Sequence, residues 1–87
     1  PQHFLLNSYP NPFNPIVKIA LSVPERGFII VDIVDIQGRK LTSLANENYH
    51  PGYYALTWDA SNYSSGVYFV TLTANNTRFT KKILLLK

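Results

Sequence analysis

Backbone breakers interrupt this chain too often for a helix to run. Prolines stand at Pro10, Pro12, Pro15, Pro24 and Pro51, and glycines at Gly27, Gly38, Gly52 and Gly66. Between them lie apolar stretches of roughly five to nine residues, which is strand length rather than helix length. These stretches are rich in Val, Ile, Thr, Tyr and Phe, the residues that suit a pleated surface. None keeps a 3.6-residue period, so the pattern predicts strands throughout and no helix.

Seven strands can be read. A short first strand covers His3–Leu6 and should lie at an edge. The second, Val17–Val23, turns Val17, Ile19, Leu21 and Val23 to one face and Lys18, Ala20 and Ser22 to the other. The third, Phe28–Asp35, is apolar on nearly every residue; Ile29, Val31 and Ile33 make the core face because Asp32 sits opposite. The fourth, Arg39–Leu44, follows a two-residue Gln37-Gly38 hairpin, in which glycine enters positive φ cheaply. The fifth, Tyr53–Asp59, alternates Tyr54, Leu56 and Trp58 against Tyr53, Ala55 and Thr57. The sixth, Val67–Ala74, meets the seventh, Arg78–Leu86, through Asn75-Asn76, where asparagine tolerates left-handed geometry. Apolar residues on both faces mark the third strand and Ile83–Leu86 as central. The fold class is therefore all-β, a seven-stranded antiparallel sandwich of two packed sheets. Its core should hold Ile19, Leu21, Ile29, Val31, Ile33, Leu41, Leu56, Trp58, Phe69 and Leu72.

Length bounds the rest. A chain of 87 residues is one domain, and it buries only about 60–65% of the surface its unfolded form exposes. With no cysteine, neither a disulfide framework nor a zinc-thiolate site can form. The formal charge of +3 comes with Lys81, Lys82 and Lys87 near the C-terminus, too small an asymmetry to imply nucleic acid. No apolar run approaches the roughly 20 residues that cross a bilayer. The opening residues resemble no signal peptide and no initiator Met is present, so the chain is read as a piece of a longer, exported protein.

Chemistry finds little purchase. Asp32 and Asp35, three apart on one strand, point to opposite faces, and His3 and His50 lie in separate contexts. No nucleophile elbow, no HExxH and no acidic calcium loop occurs, so no catalytic, cofactor or metal residue is assigned. Asp59 with Asn62 reads as a turn after the Trp58 strand rather than an oxygen site. Tyr49, Tyr53, Tyr54, Tyr63 and Tyr68 are expected to plug the core or cap its ends, with a sugar-stacking platform as the weaker reading.

Six motifs stand in order along the chain: YPNPFNP (Tyr9–Pro15), an alternating strand ending at Pro24-Glu25, DIQGRKL (Asp35–Leu41), GYYALTWDAS (Gly52–Ser61), SSGVYFVTL (Ser64–Leu72) and TKKILLLK (Thr80–Lys87). In this order and spacing the chain resembles the C-terminal sorting domain of the type IX, or Por, secretion system of Bacteroidetes and related phyla. The resemblance implies an Ig-like sandwich with no catalysis and no cofactor of its own. It implies a covalently joined N-terminal cargo, which passes through the periplasm and is carried by the outer-membrane type IX translocon to the cell surface or medium. A sortase-like peptidase removes the domain from many cargoes and attaches them to the surface. Residues 1–87 would form a single domain, with 1–7 a linker or first edge strand and 8–87 the motif-bearing sandwich. Mapped onto this chain, translocon recognition would involve Asn11, Pro12, Pro15, Gly38, Arg39, Gly66, Val67, Tyr68, Lys82 and Lys87. The Asp59–Ser65 segment is shorter than the glycine-containing loop of many relatives. Two other readings compete: a carbohydrate-binding module, which needs exposed coplanar tyrosines, and a structural Ig-like spacer of a secreted multi-domain enzyme.

Overall fold

A computed structural model describes residues 3–87. Seven strands, β1 (Leu5–Tyr9), β2 (Ile16–Val23), β3 (Gly27–Val34), β4 (Lys40–Tyr49), β5 (Gly52–Asp59), β6 (Gly66–Ala74) and β7 (Thr77–Leu85), form two antiparallel sheets. One sheet has the order β1-β2-β5 and the other β4-β3-β6-β7. This is the seven-stranded antiparallel sandwich the pattern predicts, consistent with the Ig-like fold the resemblance implies, and no helix occurs among the described residues.

Alternation explains the core. Val17, Ile19, Leu21 and Val23 from β2 meet Ile29, Val31 and Ile33 from β3, and all seven are essentially sealed from solvent. Val70 and Leu72 of β6, Ile83 and Leu85 of β7, and Trp58 of β5 complete the interior. Leu41 and Leu56 are half-buried and pack against it. Phe69 does not join the core. Its neighbours Tyr68 and Val70 face inward, so a side chain between them must face out. Phe69 lies instead on the outer face, opposite Val34 and Lys82. Leu72, three residues on, has the opposite parity and is buried.

β1 is an edge strand, as the pattern predicts, but it starts and ends later than His3–Leu6 because Asn7, Ser8 and Tyr9 pair with Ala20, Ile19 and Lys18. Whereas β3 is central, β7 is the outermost strand of its sheet. It still reads as apolar on both faces because its end is flanked twice. β6 pairs with it on one side; on the other, Phe13 forms a parallel bridge to Leu85.

The β3–β4 hairpin also differs from the expected two-residue loop. Asp35 N–H donates to Arg39 O and Gly38 N–H to Asp35 O, so Ile36, Gln37 and Gly38 form a three-residue turn. Gly38 closes it in the left-handed region at φ 81°. A Cβ there would meet no neighbouring atom, so the barrier to substitution is purely conformational. Gly38→Val should therefore lower unfolding stability by about 1–3 kcal/mol. Urea denaturation would show it as a lowered midpoint at unchanged slope, and a variant as stable as the parent would refute the strain argument. At the β6–β7 hairpin Asn75 takes the left-handed position at φ 54°, as its type predicts.

Candidate functional site

Strand direction gathers three connections at one end of the sandwich: Pro10–Pro15 between β1 and β2, Asp35–Arg39 between β3 and β4, and Ala60–Ser65 between β5 and β6. The end of β7 and Lys87 arrive there as well, because Leu85 pairs with Gly66. The connections Pro24–Arg26, His50–Pro51 and Asn75–Asn76 lie at the opposite end. All the residues assigned above to recognition sit on the first end or on the strands that run into it.

The proline-rich connection is tied to β7 as if it were an additional short strand. Asn11 supplies a side chain that behaves like a peptide group: its Nδ2 donates to Lys82 O at 3.2 Å and its Oδ1 accepts from Leu84 N–H at 3.0 Å. Two residues on, Phe13 N–H donates to Leu84 O and Phe13 O accepts from Leu86 N–H, both at 2.9 Å. Pro12 is exposed between them. Pro15 accepts through its carbonyl from Ala60 N–H at 2.9 Å, which joins this connection to the β5–β6 loop. The edge of β7 is thereby closed over Lys82–Leu86, and a closed edge resists unwanted pairing.

The β5–β6 loop is held by its own side chains. Asp59 Oδ1 accepts from Ser61 N–H at 3.0 Å and from the Ser61 hydroxyl, forming the turn read from the sequence. These hydrogen bonds, the hydroxyl's first, hold the Asp59 carboxyl below its ordinary pKa. Lys87 locks the loop from outside: its N–H donates to Ser65 Oγ at 3.0 Å and its Nζ to Ser61 O at 2.5 Å. Tyr68 is buried, and its hydroxyl donates to Ser64 O at 2.6 Å, pinning the loop to β6. Gly66 opens β6 at φ 154°, a conformation that side chains rarely adopt. The half-buried Val67 follows it, opposite Leu84.

In the β3–β4 connection Asp35 organises the turn. Its Oδ1 accepts from Gln37 N–H at 2.9 Å and Arg39 N–H at 3.0 Å, while Oδ2 takes the Arg39 Nε at 2.9 Å. The Arg39 backbone bond leads the causes that hold the Asp35 carboxyl below its ordinary value. Because the folded value is depressed, the contribution to stability is present above the ordinary carboxylate range and is lost as pH falls through the lowered value. A carbon-detected NMR titration should find Asp35 titrating below the ordinary aspartate value, with the Gly38 amide shifting in step. An Asp35 midpoint at or above the ordinary aspartate value would contradict the geometry.

Between the second and third connections lies a cleft of about 440 Å³, lined by Asp35–Gln37, Arg39, Leu41 and Asn62–Tyr68. It brings Arg39 into one surface with Gly66, Val67 and Tyr68. Gly38 stands outside the lining; Asn11, Pro12 and Lys82 belong to the neighbouring β7 edge. Sequence reasoning missed Asp35, Ser61 and Ser65 as parts of this end, and it left Phe13, within the Asn11–Pro15 stretch, out of the core. Phe13 had a signal, a lone aromatic ring between prolines in a polar stretch; Ser61 and Ser65 had none.

The aromatic rings stand behind this surface. Trp58 is packed by Phe13, Tyr63 and Tyr68 at centroid distances of 5.8, 5.3 and 5.4 Å. Tyr49 and Tyr54 meet edge to face at 4.7 Å at the other end, where the Tyr54 hydroxyl donates to His50 O. Of the five tyrosines weighed as a sugar platform only Tyr53 is fully open, at 76% exposure. Among the described residues no group of three His, Asp or Glu side chains converges to hold a metal ion.

Comparison with known proteins bears on the same residues. No curated protein matches the chain. The family model described as a secretion system C-terminal sorting domain matches residues 7–86, a span that includes all three connections, the cleft and the whole of β2 to β7. The chain belongs to the family of type IX secretion system C-terminal sorting domains.

Proposed function

We propose that this domain directs a cargo joined at its N-terminal side across the outer membrane, using the end that carries the cleft and the closed β7 edge as the face read by the type IX translocon. The family gives the coarser statement: a sorting signal that engages the secretion machinery and sends its protein to the cell surface or medium. The finer reading takes Asn11, Pro12, Pro15, Gly38, Arg39, Gly66, Val67, Tyr68, Lys82 and Lys87 as recognition residues, with passage through the periplasm and removal by a sortase-like peptidase. The domain does no chemistry of its own.

One observation carries the assignment of the face. β1 begins at the end occupied by Pro24–Arg26 and Asn75–Asn76, because Leu5 pairs with Ser22 near the end of β2. A cargo joined ahead of β1 therefore enters at one end of a body 37 Å long, while the recognition residues lie at the other. The same face is then presented whatever the cargo.

The full chain, which keeps the whole of β1, fused to a neutral reporter should send it to the surface or medium of a host with a working type IX translocon, and to the periplasm of a translocon-deficient host. Lys82→Ala with Lys87→Ala tests the lysines separately from folding. Asn11 bonds the Lys82 backbone rather than its side chain, and Lys87 loses only its Nζ bond to Ser61. Circular dichroism should still report a sandwich, with export reduced. Equal export by the folded double variant would show the lysines to be solvated charge. A transplanted wild-type domain that exports nothing from a competent host would overturn the sorting assignment for this chain.

A further inference from the structure

Backbone direction at the cleft can be read from both flanks of β6. Leu84 accepts from Phe13 N–H and gives its own N–H to Asn11, so both its backbone groups turn away from β6. In an antiparallel pair the residue opposite an outward-turned one is turned outward too. Val67 stands opposite Leu84, so its N–H and C=O turn away from β7. The other flank agrees. Asp35 N–H points to Arg39, so Val34, one residue earlier, points to β6 and Phe69. Val67, two residues before Phe69, faces the same side as Phe69 does. But β3 has ended there: Val34 with Phe69 is the last β3–β6 pair, and Asp35 turns off into the hairpin. Among the described residues no backbone group bonds Val67 on this side, and the space in front of it is the cleft.

We propose that this cleft takes an extended acidic peptide segment of a partner protein, whose backbone pairs with Val67 in the place that β3 vacates. An added strand needs a free donor and acceptor on one residue and room for a chain beside them, and Val67 has both. Charge selects the acidic segment. Arg39, Lys40, Lys82 and Lys87 stand at this end against Asp35 and Asp59. Both carboxylates are already engaged within their own turns. Arg39 uses Nε on Asp35 while its side chain stays 72% exposed, which leaves its Nη groups for an incoming carboxylate. That the partner belongs to the secretion machinery rests on the sorting reading; the strand pairing does not.

The probe is an acetylated, amidated hexapeptide alternating valine and glutamate, titrated to millimolar concentration against the isotope-labelled chain. Without peptide, the Val67 amide should exchange with water about tenfold faster or more than those of Tyr68 and Phe69, whose strand bonds are made. Saturation should slow it by a similar factor. The valine-lysine peptide, and Arg39→Gln with the acidic peptide, should each bind roughly three- to tenfold more weakly. Val67→Pro removes the free N–H without breaking a bond within the sheet, and should abolish pairing while Trp58 fluorescence still reports a folded chain. Should that variant fail to fold, the peptide carries the same test: of two versions N-methylated on alternate residues, one should lose binding and the other keep it. Unchanged Val67 exchange at millimolar acidic peptide, or equal binding of both N-methylated versions, overturns the proposal. If the peptide pairs but the wild-type domain exports no reporter, the sorting reading falls and the pairing stands. If export succeeds and pairing fails, the reverse holds.

Discussion

Phe13→Ala should remove about 3–5 kcal/mol of stability, the cost of deleting a buried aromatic ring whose neighbours cannot fully collapse. For 87 residues the total is on the order of 4–13 kcal/mol, so the variant should sit at or near the edge of unfolding at room temperature. Location in a proline-rich connection does not by itself imply such a cost. The ring is nevertheless only 2% exposed, and it packs against Trp58. Its backbone is fastened to β7 by two hydrogen bonds that alanine would keep, so the loss should report the ring rather than the bridge. Urea unfolding would show a large fall in midpoint at unchanged slope. A loss below about 1 kcal/mol would mean that the ring is not part of the core. There is a functional consequence. Asn11–Pro15 was assigned to recognition from motif resemblance, yet its central residue belongs to the interior. Loss of export in a Phe13 variant would report unfolding, whereas loss in a folded Pro12 variant would report a surface contact, because Pro12 is exposed.

Elements whose two faces differ in polarity were legible in the sequence. β2 sets Val17, Ile19, Leu21 and Val23 against Lys18, Ala20 and Ser22, and its register follows from that contrast. β3 was legible through Asp32 alone, which fixes the parity of an otherwise apolar run. Edge strands were harder. β4 continues through Asn46, Glu47 and Asn48 because an edge strand open to solvent accepts polar residues, and its predicted stop at Leu44 marked only the end of the apolar content. Phe69 failed for a different reason: a large apolar residue was taken as interior although Leu72, three positions away, could not share its face. At the site, the β3–β4 turn was legible only through Gly38, which marks its left-handed position; the Asp35 carboxylate that organises it was not, although it acts within five residues. The bonds of Asn11 to β7, Pro15 to Ala60 and Lys87 to Ser61 and Ser65 were not, since each joins residues far apart in the sequence with no periodic signal at either end. Fold was therefore legible through patterning, while the end of the sandwich depends on pairings that only the folded chain brings into reach.

Trp58→Ala should cost about as much as the loss of Phe13, roughly 3–5 kcal/mol, and the two losses should not add. Trp58 is 4% exposed and is the one ring that touches Phe13, Tyr63 and Tyr68 together. Tilted and edge-to-face contacts of this kind contribute about 0.5–1.5 kcal/mol each beyond area burial. Removing Trp58 forfeits the Phe13 contact already lost in Phe13→Ala, so the double variant should be more stable than the sum of the singles predicts. Full truncation of both rings leaves little stability to measure, so Trp58→Phe with Phe13→Leu gives the same cycle at smaller cost. Additivity within about 0.3 kcal/mol would show that the rings do not couple. Coupling would tie the two halves of this end of the sandwich together. Phe13 carries the proline-rich connection, and Tyr63 and Tyr68 carry one wall of the cleft; Trp58 is the side chain through which a change in either is felt by the other. A milder variant such as Trp58→Phe should accordingly keep the strands and their amide protection but speed exchange at Tyr63 and Ser64, before any change reaches Tyr53 or Tyr54 on the same strand β5.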